Sequence, residues 1–293
     1  LDQLMHNSNI LSKNYKDLNL IAKKKKSEYL SATPFPNIIM EDFFDIDFLD
    51  KVVKDFPNLE KINSSQKYKN KNEVKFANND YENFPNSIKL LFDFLNSNTF
   101  LEFLQKITSI EEKLVIDQEL NGGGLHQIKA GGMLKIHTDF SKHPTLDLDR
   151  RINVLIYLNK NWKQEYGGDL ELWDKEMKFC GKKIEPIYNK MVIFSTNDFS
   201  NHGHPELIKC PENISRKSIA LYYFSKGRPA TEIDTNNIKN KTYFKNRKGF
   251  DNEINNKNET VKNYFRKLKL FKYLKKFEKK YIRTGNSNMK RKK

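Results

Sequence analysis

The sequence predicts an α+β protein with a mainly β core, a jelly roll or double-stranded β-helix braced by N-terminal helices and followed by a C-terminal basic amphipathic helix. Three observations predict it. Apolar residues recur at helical spacing up to Leu104, at least six short runs separated by turn signals fill Leu114 to Arg228, and lysines interleave with aromatic residues near the end.

Residues 1–33 are polar and rich in Lys and Asn, and are expected to form a loosely held extension. Pro34 to Met40 reads as a short strand ended by Glu41-Asp42. Phe44, Phe48, Val52 and Phe56 then recur every four residues as one helix face, closed at Phe56-Pro57 because proline cannot continue the hydrogen-bond ladder. Lys61 to Asn79, rich in Asn, Lys and Ser, is expected to be a loop. A second helical stretch, Ser87 to Leu104, places Ile88, Leu91, Phe92, Leu95, Leu101 and Leu104 at helical spacing, with a break near Asn96-Ser97-Asn98.

From Leu114 the texture becomes that of strands. Gly122-Gly123-Gly124 and Gly131-Gly132 punctuate the approach to Leu134–Phe140. In Arg151–Leu158 the residues Ile152, Val154, Ile156 and Leu158 face one way and Asn153, Leu155 and Tyr157 the other. Gly167-Gly168 turns the chain into Asp169–Trp173, Met191–Phe194 is a short buried strand, and Ser218–Phe224 is the last. The expected organisation is an extension at 1–33, a domain at 34–228 with its β core at about 114–228, and a basic tail at 229–293. The tail carries a helix at about 261–281, on which Val261, Tyr264, Phe265, Leu268, Phe271, Leu274, Phe277 and Tyr281 share a face.

Composition narrows the class. With 37% hydrophobic residues, 21 Phe and 13 Tyr, the chain can build a core without covalent staples. Cys180 and Cys210 fit neither Cys-x-x-Cys nor a zinc spacing and are expected to be free thiols in a reducing compartment. No stretch reaches the ~18 apolar residues of a membrane span, and the lysine run Lys23–Lys26 is not followed by the apolar core of a secretory signal. A cytoplasmic protein is expected. The net charge of +16 is uneven: 241–293 holds 19 Lys/Arg against 4 Asp/Glu, or +15, so the preceding residues are nearly neutral. This excludes a nucleic-acid-binding role for the whole surface and confines any contact with RNA, ribosome or anionic membrane to the tail.

The chemistry resides in four elements. His137 and Asp139, two residues apart on an alternating run, project from one strand face as two legs of a three-ligand ferrous site. The third leg is His202 or His204, which share a face on an extended chain. Arg216-Lys217-Ser218 follows within the same β block and opens an aromatic strand. His126 and Gln127, upstream of the Gly131 turn, are candidates for the pocket wall. His143 lies just after the ligand strand and reads as a solvated loop residue. Arg150, Arg151 and Arg228 lie at strand ends or in turns and are expected in solvent.

Ordered motifs carry a resemblance. Gly131–Phe140, Arg151–Asn159 with Trp162, Gly167-Gly168-Asp169-Leu170, His202-Gly203 and Arg216–Phe224 resemble bacterial or viral members of the prolyl 4-hydroxylase-like 2-oxoglutarate and Fe(II)-dependent oxygenase superfamily, over about two thirds of the chain from Pro34 to Arg228. The resemblance implies an active dioxygenase using Fe(II), 2-oxoglutarate as cosubstrate and O2, with ascorbate as a further cofactor. It selects His202, the histidine of the His-Gly pair, beside His137 and Asp139, and leaves His204 and Asn153 to the pocket. Arg216 is the implied partner of the far carboxylate of 2-oxoglutarate, because a guanidinium offers a planar, always-charged fork; Ser218 and Tyr157 add hydrogen bonds. Related halogenases lack the carboxylate found here as Asp139, so hydroxylation is implied, of a prolyl or other protein residue. Alternatives are the same chemistry on a sugar, lipid or small metabolite, or a chiefly tethering protein acting through its basic tail.

Overall fold

The computed structural model describes residues 9–235, 241–247 and 251. Two compact units are distinguished, Leu1–Arg247 and Lys248–Lys293. The helix expected at 261–281 lies outside the described residues.

From residue 9 onward the N-terminal segment is not loosely held. Helix α1 (Leu18–Ser31), capped by the Asp17 side chain, which accepts from the Leu20 amide at 2.9 Å, buries Leu18, Ala22 and Tyr29. It packs against a later helix, α4 (Asn98–Thr108). Those three side chains form a narrow stripe among lysines, too thin to stand out as an amphipathic pattern. The Tyr29 hydroxyl, 2.7 Å from Ser195 Oγ, ties the helix to the sheet.

Strand β1 (Asn37–Glu41) and helix α2 (Ile46–Asp55) follow, the latter capped by Asp45 and burying Phe48, Leu49 and Val52. The stretch expected as a loop holds a hairpin, β2 (Gln66–Lys69) and β3 (Glu73–Asn78), joined in register from Gln66 opposite Ala77 to Lys69 opposite Val74. Only Val74 and Phe76 mark it as a strand, because the side chains between them belong to a polar cavity. Helices α3 (Asn86–Leu95) and α4 are separated at Asn96 and Ser97 as the sequence predicts.

The remaining strands are β4 (Val115–Ile116), β5 (Gly124–Ile128), β6 (Met133–Thr138), β7 (Asp149–Tyr157), β8 (Leu170–Trp173), β9 (Cys180–Ile184), β10 (Lys190–Ser195), β11 (Asn201–His204), β12 (Arg216–Ser225) and β13 (Tyr243–Phe244). They hydrogen-bond in the order β1-β10-β7-β12-β5-β3-β6-β11-β8-β9, with β13 beside β6, β2 beside β3 and β4 beside β12. The pairings named by register are antiparallel. This rolled sheet is the double-stranded β-helix that the strand pattern predicts.

Alternation along β7 decides which side of the sheet faces what. Ile152, Val154 and Ile156, opposite Tyr223, Leu221 and Ile219 of β12, pack with the helices in the main core. Each such side chain contributes roughly 1.5–3 kcal/mol by leaving water. Tyr157 and Leu155 point the other way, with Leu170, Leu172, Ile184, Val192 and Phe194, into the roll. A one-residue slip of β7 would exchange the two sets, so burial of the helix-facing set holds the polar set inside the roll. Cys180 and Cys210 are free, and no helix among the described residues is long and apolar enough to cross a membrane.

Candidate metal centre

His137 sits near the end of β6 and Asp139 one residue beyond it, while β11 runs antiparallel alongside and sets His202 opposite His137. His137 Nε2 lies 3.6 Å from Asp139 Oδ1 and His202 Nε2 lies 3.4 Å from Asp139 Oδ2. The ligand atoms of the three all fall within 4.8 Å of one another. The two imidazoles are held the same way. His137 Nδ1 is 2.8 Å from the Lys135 carbonyl and His202 Nδ1 is 3.0 Å from the Ser200 carbonyl. A carbonyl can only accept, so each Nδ1 carries the proton and each Nε2 lone pair is left for a metal. Burial, partly offset by the attraction of Asp139, lowers the His202 pKa to about 4, which keeps that ring neutral at physiological pH. Two imidazole nitrogens and one carboxylate fit a divalent transition metal.

Asp139 is anchored from behind. Asn153 Nδ2 donates to its Oδ2 at 2.8 Å and Arg150 Nη2 lies 3.0 Å from the same oxygen, while Arg150 also donates twice to Asn153 Oδ1. The guanidinium is sandwiched between the rings of Phe140 and Tyr222, 4.6 and 3.3 Å from their centroids. Burial alone would raise the Asp139 carboxyl, but Arg150 and the two histidines hold it well below the usual carboxylate range.

One bulge makes the convergence possible. His202 opposes His137 and His204 opposes Leu134, so two residues of β11 span three of β6. The extra residue turns Leu134 and His137 to the same side, where simple alternation would separate them. At the bulge the chains approach so closely that a Cβ on Gly203 would meet the Lys135 and Leu134 carbonyl oxygens at 2.6 and 2.8 Å.

The centre opens into a cavity of about 260 Å³. Of the residues singled out in the sequence, His137, Asp139, His202, His204, Asn153, His126, Arg216 and Ser218 line it. Arg216 is 3% exposed, donates from Nε to the Gly168 carbonyl at 2.8 Å, and stands against the Tyr157 ring with Nη2 3.4 Å from its hydroxyl. Tyr157 therefore meets Arg216 from the side rather than forming the cavity wall. Burial depresses the pKa of His126 to about 3 and that of His204 well below its usual value.

Gln127 does not reach the cavity. Adjacent strand residues point to opposite faces, and with His126 inward the Gln127 side chain accepts from the Leu59 amide and donates to Ser215 Oγ. His143 is not a solvated loop residue either: it is 5% exposed and pairs with Asp117 at 3.2 Å. Nor are the three arginines in solvent. Arg150 supports Asp139, Arg151 bonds Glu112 and Ser225, and Arg228 bonds Asp198, because strand β7 carries the first two and the turn after β12 carries the third into carboxylate-rich crevices.

Several wall residues escaped the sequence reading: Arg150, Tyr222, Lys75, Tyr68 and Phe244. Tyr222 was signalled by the face it shares with Arg216 and Ser218. Phe244 had no local signal: β13 places it opposite His137, with ring centroids 5.5 Å apart, from within the segment read as tail.

The 2OG-Fe(II) oxygenase superfamily model matches residues 123–224. The prolyl 3-hydroxylase OGFOD1 of Mus musculus is 27% identical over 216 residues, covering 70% of this chain; the aligned part is 36% of the mouse protein, so the chain spans about a third of that relative. Among solved structures, a Trichoplax adhaerens prolyl hydroxylase in complex with a hypoxia inducible factor peptide fragment superposes with a TM-score of 0.50 at 19% identity, over 73% of this chain and 91% of that one. A prolyl 4-hydroxylase from Phytophthora capsici gives 0.51 at 17% identity, over 73% and 66%. Residues 123–224, which carry the ordered motifs, thus match the 2-oxoglutarate and Fe(II)-dependent oxygenase superfamily model, and the rolled antiparallel sheet around them has the fold of these prolyl hydroxylase structures.

Proposed function

We propose that this chain is a 2-oxoglutarate- and Fe(II)-dependent dioxygenase that hydroxylates a prolyl or other residue of a protein. The observation that carries the reading is the convergence of the His137 and His202 Nε2 atoms on the Asp139 carboxylate, each imidazole locked by a backbone carbonyl. When bound, ferrous iron supplies the dioxygen activation that couples loss of CO2 from 2-oxoglutarate to C–H hydroxylation, one oxygen atom entering succinate and the other the substrate.

The chain's own residues set the geometry. His137, Asp139 and His202 would hold the metal, and Arg150 and Asn153 keep the carboxylate ionised and aimed. Arg216, steadied by Tyr157 and the Gly168 carbonyl, receives the far carboxylate of 2-oxoglutarate, with Ser218 adding a hydrogen bond. The names of the mouse relative and of the Trichoplax neighbour favour a protein substrate over a sugar, lipid or small metabolite. Ascorbate as accessory reductant and a cytoplasmic location complete the proposal.

The test is succinate release by the purified chain with Fe(II) and 2-oxoglutarate, in the presence and absence of a library of proline-containing peptides. Peptide-dependent succinate and a matching one-oxygen gain in peptide mass are expected. Succinate release stimulated only by small metabolites would overturn the substrate assignment.

A second proposal concerns 241–293, whose 19 Lys/Arg against 4 Asp/Glu suit RNA, ribosome or anionic membrane. Binding to RNA or anionic vesicles that weakens steeply with salt is expected of the full chain and not of a chain ending at Arg247. Equal binding by both would remove the segment from the interaction.

A further inference from the structure

The cavity has two polar ends. One is the metal centre; the other is Arg216, and two further imidazoles enter the wall of the same cavity. His126 projects from β5 opposite Ser218, two residues along β12 from Arg216 on the same face. His204 projects from β11 opposite Leu134. His204 is 3% exposed and neither of its ring nitrogens has a hydrogen-bond partner among the described residues; His126 Nε2 is likewise buried and unpartnered among them. Buried polar atoms are ordinarily satisfied, so three unpartnered ring nitrogens in one cavity wall point to something that enters the cavity. The charged groups acting on both rings are Arg216 and Lys75, both cationic, and Lys75 is itself 3.3 Å from Glu73. An occupant placed here meets a guanidinium and imidazole N–H groups, which suits an anion. An imidazole carries at least one N–H in either protonation state.

Spacing identifies the anion. His202 and His204 lie two residues apart on one strand, roughly 6.5–7 Å along the chain; His202 is at the metal centre, and Arg216 is the foremost charge acting on His204. That separation is the reach of a five-carbon dicarboxylate held at both ends. We propose that His204, aided by His126, is a cosubstrate-binding residue that donates to the far carboxylate of 2-oxoglutarate seated on Arg216. This rests on the oxygenase reading and adds two ligand contacts to it. A water-filled wall would leave the imidazoles indifferent to the cosubstrate, and that alternative is measurable.

The experiment is calorimetric titration of the full chain loaded with Zn(II), which supports no turnover, using 2-oxoglutarate and, separately, pyruvate. Pyruvate keeps the 2-oxo acid and lacks the far carboxylate. His204→Leu is expected to weaken 2-oxoglutarate binding by about ten- to a hundredfold, the value of one hydrogen bond to a charged group. Pyruvate affinity and zinc stoichiometry should stay at the wild-type level. His204→Gln, which restores a donor, should recover most of the loss, and His126→Leu should show a smaller loss of the same selectivity, so the inference does not hang on one variant. Wild-type affinity for 2-oxoglutarate in both leucine variants would overturn it, as would an equal loss for pyruvate, which would place the effect at the metal. Zinc-loaded wild-type protein that binds no 2-oxoglutarate would instead overturn the oxygenase reading, and this inference with it.

Discussion

Asp139→Ala is expected to abolish both Fe(II) binding and succinate release, while lowering the unfolding midpoint. The metal would lose one of three donors, which exceeds the about 10–100-fold loss typical of removing a partner behind a ligand. The stability loss has a separate origin. Arg150 is 1% exposed and its guanidinium lies 3.0 Å from the Asp139 carboxylate. Removing the carboxylate strands a buried cation, which costs about 3–5 kcal/mol where nothing else compensates. Here Asn153 Oδ1 and the Phe140 and Tyr222 rings still receive the guanidinium, so the lower end applies, a fall of roughly 6–12 °C in Tm. The two effects separate in a double variant. Asp139→Ala with Arg150→Met should regain much of the midpoint and none of the iron, read by thermal unfolding beside metal analysis. Wild-type iron affinity in Asp139→Ala would remove this carboxylate from the metal site.

The second large effect is expected at a residue with no side chain. A methyl group at position 203 would sit 2.6 Å from the Lys135 oxygen, 2.8 Å from the Leu134 oxygen and 2.9 Å from the Lys135 carbonyl carbon. All three are backbone atoms of the β6 bulge, so no rotamer change relieves the contact. Gly203→Ala must push β11 away from β6, and His202 moves with β11 while His137 stays. Overpacking of this kind costs about 1–3 kcal/mol in stability. A misplacement approaching 1 Å costs on the order of a hundredfold in rate. A hundredfold lower kcat/KM with measurably weaker iron binding is therefore expected. Gly131 is the control, since nothing among the described residues lies within 4 Å of a Cβ there; its φ of +77° suits asparagine, so Gly131→Asn should keep the iron. Iron affinity unchanged in Gly203→Ala would mean that the bulge does not set the ligand spacing.

Both expectations separate what was legible in the sequence from what was not. Alternation along Arg151–Leu158 divided its side chains into two faces, and the burial of Ile152, Val154 and Ile156 together in the main core agrees with that division. The order of His137, Asp139, His202-Gly203 and Arg216-x-Ser218 named a donor set before any distance was known. The hairpin at Gln66–Asn78 was missed because Glu73, Lys75 and Ala77 face a polar cavity, and a strand without an apolar inner face reads as loop. Arg150 was missed because its neighbours Asp139, Asn153 and Tyr222 come from other positions or other strands.

Residue types, their alternation and their order along the chain were determined by the sequence itself, since the two-residue period of a strand is a local property of L-peptides. The bulge that turns Leu134 and His137 inward together, the gathering of His204 and Arg216 into one cavity wall, the shelter of Arg150 and the return of Phe244 to His137 were decided only by tertiary structure. Each depends on the register between strands far apart in sequence, which is set by the packing of the whole sheet and the close approach of backbones, not by any pattern within a single strand.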